Sequence, residues 1–302
     1  MVAYEPLLGD LDVDVLVIGG GIAGTTTALL RKEAGRSVAL VEADRLASGS
    51  TGRSTGTVTS QHDLFYVTVV DKVGEASAQR SAEANQAAIA ILEGLTDRHG
   101  VDAYPSRLAS HVFTRDESMV DAVRIEADAA RRLGLPTAFV EDVDLSFAVA
   151  GAVRFDGQLQ IHPSRVVRGF AAAVAGDGWS VHEHSRVVGM SANGDTVEVT
   201  TERGTIRARQ PVVATVLPVL DQGFEFAKTR PSRSYGIAAG LGGEPSEPMH
   251  ISAESPKRSR TRTRIHAAAA RRPVPAVTQL APPTGSGPSY RRGTPTPRMC
   301  SR

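Results

Sequence analysis

Residues 13–42, VDVLVIGGGIAGTTTALLRKEAGRSVALVE, constrain this chain more than any other stretch. An apolar run from Val13 to Ile18 enters a glycine cluster. A helix-forming stretch follows, and a second apolar run ends on an acid, Glu42. This is the pattern of a βαβ unit that holds a dinucleotide. Gly19 allows a tight turn out of the first strand, Gly21 lets the backbone approach a pyrophosphate, and Gly24 lets the helix pack close to the sheet. The helix start at Ile22 and Ala23 then aims its N–H groups and positive dipole end at the phosphates. Glu42, 23 positions after Gly19, stands where a carboxylate can accept ribose hydroxyls. A βαβ turn without a ligand is the plainer alternative, and it leaves the terminal carboxylate unexplained.

A polar stretch follows, LASGSTGRSTGTVTSQHD at 46–63, dense in Gly, Ser and Thr. Such a stretch cannot be core: it either runs over the surface as a linker or wraps a ligand. Its place directly after Glu42 favours the ligand. Gly49, Gly52 and Gly56 permit close backbone approach, Thr51, Ser54 and Thr55 offer hydroxyls, and Arg53 offers a cation.

Helices are expected over 75–98, 116–133 (Asp116 capping its start) and from His162 to about Val174. A short strand is expected at 110–114, with short strands and turns over 139–160. From Ser180 the pattern becomes strand-like, with turn signals at Asn193-Gly194-Asp195 and Arg203-Gly204. Strands are expected at 185–191, 195–202 and 204–209. A fourth, separate strand, Pro211 to Thr215, would re-enter the first sheet. Further strand candidates are Ser234–Ala239 and Pro248–Ala253.

Among 302 residues there is one cysteine, Cys300. That excludes a disulfide framework and any cysteine-ligated zinc or iron–sulfur site within the chain. The N-terminus lacks the basic and apolar regions of a signal peptide, and no run approaches the roughly 18 apolar residues of a membrane span. A cytoplasmic protein with no membrane partner is expected. Charge is sharply asymmetric: from Pro256 to Arg302 there are 11 Lys or Arg and no acid, which leaves 23 basic and 33 acidic residues before it. The basic run 257–264 lacks aromatic interleaving, so a specific nucleic-acid role is not expected.

These residues resemble a known family. VLVIGGGIAG with Glu42, STGRSTG, and SRVVGM with VVAT at 212–215 are similar to the FAD-dependent oxidoreductases of the D-amino acid oxidase and glycine oxidase type. TGRSTGTVTSQHDLFY, AEANQAAI, RPSRSYGIAA and MHISAESPKRS resemble the branch fused to a C-terminal Rieske domain. The resemblance implies a Rossmann-like α/β FAD-binding domain with an inserted α+β substrate domain. Its expected layout is FAD-binding segments at 1–100 and 161–220, and substrate-domain segments at 101–160 and 221–256. It implies FAD contacts from Gly19, Gly21, Ile22, Ala23, Gly24, Glu42, Ala43, Thr51, Gly52, Arg53, Ser54, Thr55, Val187, Ala214 and Thr215. The implied reaction oxidises an amine, amino acid or related small molecule by hydride transfer to flavin, which oxygen or an electron carrier then reoxidises. No catalytic side chain is assigned. His62 faces the flavin or caps the helix after it, and Arg233 and Tyr235 are substrate-side candidates. His182 and His184, alternating on one strand, would share a solvated face; no metal site is expected. Trp179 is expected to pack.

The resemblance stops near residue 259. The remainder, rich in Arg, Ala, Pro and Thr, reads as a disordered basic tail over 257–302. A shift of reading frame between Lys257 and Arg260 would explain the abrupt change and would leave the substrate domain incomplete. Two alternatives stay open: a truncated product with weak or no FAD binding, and an NAD-binding dehydrogenase using the same βαβ unit.

Overall fold

The computed structural model describes residues 3–217, 225–229, 235–240, 249–254, 258–262 and 275–280. The chain alternates between two sheets. It begins with strand β1 (Leu11–Ile18), helix α1 (Ile22–Glu33) and strand β2 (Val38–Val41), the expected βαβ unit. Strand β3 (Thr57–Val58), helices α2 (Tyr66–Val73) and α3 (Glu75–Arg98), strand β4 (Ser106–Thr114), helix α4 (Val120–Arg132), and strands β5 (Thr137–Val140) and β6 (Gly151–Gln160) follow. Helix α5 (Pro163–Val174) leads into β7 (Ser180–His182), β8 (Val187–Asn193), β9 (Thr196–Thr201) and β10 (Thr205–Val213). The last described elements are α6 (Glu225–Lys228), β11 (Tyr235–Gly240), β12 (Met249–Ser252), β13 (Arg258–Arg262) and β14 (Pro275–Leu280).

The first sheet has the order β7-β2-β1-β10-β9-β8. Its β7, β2, β1 and β10 run parallel, while β9 and β8 join antiparallel. Alternation along β1 places Val15 and Val17 in one core with Ala28 and Leu29 of α1, Leu95 of α3 and Phe170 of α5. Leu16 and Ile18 face the opposite core, with Val187, Val199 and Ile206. Both faces are covered, which is why the strand reads as a continuous apolar run. The second sheet has the order β11-β14-β13-β12-β4-β6-β3, with β5 also paired to β6. Val112, Val153 and Phe155 pack one of its faces against Tyr66 of α2 and Val123 and Ala127 of α4.

In the basic tail, β13 and β14 pair with β12, with each other and with β11. The rest of that tail lies outside the described residues. Two expectations differ from the structure. The strand expected at 211–215 is not separate: β10 runs unbroken from Thr205, pairing antiparallel with β9 early and parallel with β1 along its length. Pro211 fits inside it because proline lacks only its own N–H, a loss confined to one ladder position. Second, His182 ends β7 and His184 follows it with φ +49°, off the strand. His182 Nδ1 lies 3.2 Å from the Glu5 carbonyl, and His184 donates its backbone N–H to Asp44 O. Trp179 packs partly against the first core, with Lys32 Nζ 4.7 Å above its ring.

His111 on β4 stacks on His250 of β12 at a centroid distance of 5.1 Å. It is buried, and its Nδ1 has no hydrogen-bond partner among the described residues. Burial first, and then the charge of Arg154, pushes its pKa down to about 4, against a small upward pull from Asp156. The unfolded chain protonates this imidazole near its ordinary value of 6.5 while the folded chain resists until about 4. Its contribution is therefore intact above about pH 6.5 and is lost as pH falls toward 4. We expect His111→Leu to remove about 2 kcal/mol of the stability lost between pH 7 and pH 4.5, read as a flatter pH profile in urea unfolding.

Candidate dinucleotide site

Three parallel strands end at one place. Past β1 come Gly19, Gly20 and Gly21, past β2 comes Glu42, and past β10 come Ala214, Thr215 and Val216. All of them line one cavity of about 400 Å³, which Ile22, Ala23 and the loop Ala47–Thr51 complete. The carboxyl ends of parallel strands are where open α/β sheets bind ligands, because the loops there diverge to opposite faces. Backbone bonds from Gly19 N to Val41 O (2.8 Å) and from Ala214 N to Ile18 O (2.8 Å) hold the three loops in register.

The glycines are dictated by space. A Cβ on Gly24 would lie 1.8 Å from the Gly19 carbonyl oxygen, so helix and strand can approach this closely only with glycine there. Gly19 has φ +119°, and a Cβ on it would stand 2.6 Å from Ala214 O. A Cβ on Gly52 would lie 2.0 Å from Ala47 O. Helix α1 starts at Gly21 with no side-chain cap and no acid in its first turn, leaving the positive end of its dipole aimed at the cavity. Thr51 Oγ1 accepts the Ile22 N–H at 3.2 Å and ties the loop to the helix start.

Glu42 sits at the far side. Its Oε2 accepts the Gly20 N–H at 2.6 Å and its Oε1 the Asp44 N–H at 2.9 Å. Each oxygen keeps a second lone pair for a hydroxyl donor. A second cavity of about 470 Å³ shares Ile22, Ser50 and Thr51 with the first and continues between Ser54, Gly56–Thr59 and the α3 residues Asn85, Ala88 and Ile89. Together the two form an elongated space beneath the polar loop.

Of the residues singled out from the sequence, Gly19, Gly21, Ile22, Ala23, Glu42, Thr51, Ala214 and Thr215 line the first cavity. Gly24 and Gly52 shape it by close packing. Ser54 lines the second cavity, and its Oγ accepts the Gly56 N–H at 3.1 Å. Thr55 Oγ1 lies 3.4 Å from Thr57 Oγ1. Ala43 and the exposed Arg53 line neither cavity, and Val187 is buried in the core on the sheet's other face. His62 is exposed, with its Nε2 3.1 Å from Asn85 Oδ1 and its ring edge-on to Phe65. The cap expected of it belongs to Glu126 of α4, whose carboxylate accepts the N–H groups of Phe65, Tyr66 and Val67. Tyr235 is 63% exposed on β11, and Arg233 lies outside the described residues. Sequence reading passed over Gly20, Ala47, Ser48, Ser50 and Val216, which also line the first cavity. Gly20 carried a signal, since a Cβ there would meet Leu46 Cδ2 at 2.6 Å. The others enter through the path of the loop alone.

Residues 14–271 match the model of the family described as DAO, FAD dependent oxidoreductase. The chain belongs to this family. DAO-family enzymes bind FAD. The chain is 29% identical over 255 residues to the Bacillus subtilis (strain 168) protein YhfW, named for a Rieske 2Fe-2S iron-sulfur centre; this covers 84% of this chain and 50% of YhfW. It is 27% identical over 212 residues to glycine oxidase of Bacillus licheniformis, covering 67% of this chain and 53% of that one. The chain thus spans about half the length of these relatives. Among solved structures, glycine oxidase from Geobacillus kaustophilus superimposes with a TM-score of 0.67 at 17% identity, over 90% of this chain and 73% of that one. That likeness shows the fold. Among the described residues no helix is long and apolar enough to cross a membrane.

Proposed function

We propose that this chain binds FAD along the joined cavities and forms the flavin-carrying part of an enzyme that oxidises an amine, amino acid or related small molecule. The observation that carries the reading is the glycine cradle: backbone N–H groups, a helix dipole end and the Glu42 carboxylate converge on one cavity at the ends of β1, β2 and β10. The donor set suits the parts of FAD. Along Gly19–Ala23 the N–H groups of Gly19, Gly20 and Ile22 are taken by Val41, Glu42 and Thr51, which leaves those of Gly21 and Ala23 for a pyrophosphate; Glu42 offers acceptors to a ribose, and the second cavity gives length toward a flavin ring. When bound, FAD supplies the two-electron acceptor, and the protein supplies placement. In this reading Thr51 and Ser54 orient the linking chain, the loop 46–56 excludes water, and Tyr235 remains a substrate-side candidate. The substrate class follows relatives such as glycine oxidase.

Two measurements test it. Titrating the purified chain with FAD should quench flavin fluorescence to a stoichiometric end point. A panel of small amines and amino acids added without oxygen should then bleach the visible flavin band for at least one member. Saturable binding of a nicotinamide dinucleotide with none of FAD would sink the reading. Glu42→Ala should weaken FAD binding roughly tenfold or more, since a half-buried acceptor pair for ribose hydroxyls is lost. The same titration checks this, and Glu42→Gln should fall between.

A further inference from the structure

The loop that closes the first cavity is held from a distant part of the chain. Residues 182–185, at the end of β7 and just past it, lie along residues 42–46: Glu42 N bonds His182 O (2.9 Å), Ser185 N bonds Glu42 O (2.8 Å) and His184 N bonds Asp44 O (2.8 Å). Within this zipper sits one buried carboxylate, Glu183, 6% exposed. Its Oε1 accepts the Leu46 N–H at 2.7 Å and its Oε2 the Tyr4 N–H at 3.1 Å. Leu46 packs against Gly20, and Ala47 donates its N–H to Gly20 O at 3.0 Å with φ +61°, a conformation that costs a non-glycine residue about 1 kcal/mol or more. The Ala47 carbonyl in turn rests against Gly52. A strained residue persists only where its surroundings over-determine it, and here the neighbouring amide is gripped by a buried anion.

We propose that Glu183 is a positioning residue for the FAD cradle: through Leu46 it fixes the Ala47 turn and so the wall facing Gly20, while through Tyr4 it straps the N-terminal segment to the same point. Ser185 completes the strap, its Oγ accepting the Leu7 N–H at 2.8 Å. This rests on the FAD reading above. Pre-organising a loop raises affinity by removing the cost of ordering it on binding.

The test uses the whole chain, unaltered and as Glu183→Gln and Glu183→Ala, with two readouts: FAD affinity by flavin fluorescence, and amide hydrogen exchange without FAD. We expect Glu183→Ala to bind FAD at least roughly tenfold more weakly and Glu183→Gln to fall between, because one amide oxygen can still serve Leu46. Exchange over 43–50 should accelerate in both variants while the β9 amides keep their protection. A merely structural role would lower Tm but leave FAD affinity within twofold and raise exchange everywhere, and that result overturns the proposal. Should Glu183→Ala fail to fold, Glu183→Gln decides by the same readouts. In the unaltered chain an unprotected Leu46 amide would also overturn it. No FAD uptake by the unaltered chain sinks the FAD reading itself; tight uptake there with unchanged variants sinks this proposal alone.

Discussion

Gly24→Ala should weaken FAD binding about a hundredfold or more and destabilise the chain by about 3 kcal/mol or more. The added methyl would lie 1.8 Å from the Gly19 carbonyl oxygen and 3.0 Å from its carbon, both backbone atoms that no rotamer change can move. Relief requires α1 to retreat from β1 by more than an ångström. That movement opens the core where Ala28 and Leu29 meet Val15 and Val17, and overpacking of this kind costs roughly 1–3 kcal/mol even where neighbours yield. It also carries the helix N-terminus away from the cavity. Backbone donors that approach a phosphate act over a few tenths of an ångström, so affinity should fall about a hundredfold or more. Urea unfolding and fluorescence titration read the two effects separately. Gly189→Ala, whose Cβ would make only ordinary contacts at 3.7 Å with Thr200, is the control and should change neither.

Glu126→Ala should cost about 3–5 kcal/mol, the larger share from hydrogen bonds rather than from volume. The Glu126 side chain is fully buried between α4 and the start of α2. Burial pushes its carboxyl pKa up, while three backbone N–H groups pull it back. Those donors, from Phe65 (2.8 Å), Tyr66 (2.7 Å) and Val67 (3.0 Å), are the first-turn groups of α2 that no helix can satisfy internally. Alanine leaves all three without a side-chain acceptor. Glutamine leaves an acceptor for Phe65 and Tyr66 but sets an amide donor against Val67, and should cost about 1–2 kcal/mol. The consequence reaches toward the site. Tyr66, whose hydroxyl pKa burial pushes up to about 12, donates to Ser60 O at 2.5 Å. Ser60 is buried beside Gln158, whose side-chain oxygen also accepts from Thr59 at the second cavity. Loosening α2 therefore frees that cavity's wall. Glu126→Ala should lower Tm and speed proteolysis within 59–73 more than elsewhere. Cleavage spread evenly over the chain would contradict this coupling.

Much of the architecture was legible because its signals are local. Val13–Ile18, the glycines and Glu42 lie within 30 residues, and strand alternation, helix-forming composition and turn glycines act over a few positions. The 75–98 helix and the Thr51-containing loop followed from the same short-range rules. Signals failed where a partner far along the chain decides. Glu126 outcompetes His62 as the cap of α2 from 59–61 residues away. Pro211 looked like a strand boundary, yet parallel pairing with β1, continuing past Ala208 where the β9 ladder ends, carries β10 through it.

By itself the amino-acid sequence determined that this chain builds a βαβ unit with a glycine cradle at its turn, because glycine at 19 and 24 is a demand of backbone space that no other residue can meet. The tertiary structure alone decided how that cradle is closed. The loop 42–47 takes its shape from residues 182–185, and the buried Glu183 carboxylate, 137 positions from the Leu46 amide it holds, does so at 2.7 Å. Sequence separation hides such a bond, since its energy comes from burying a charge among donors that only folding assembles.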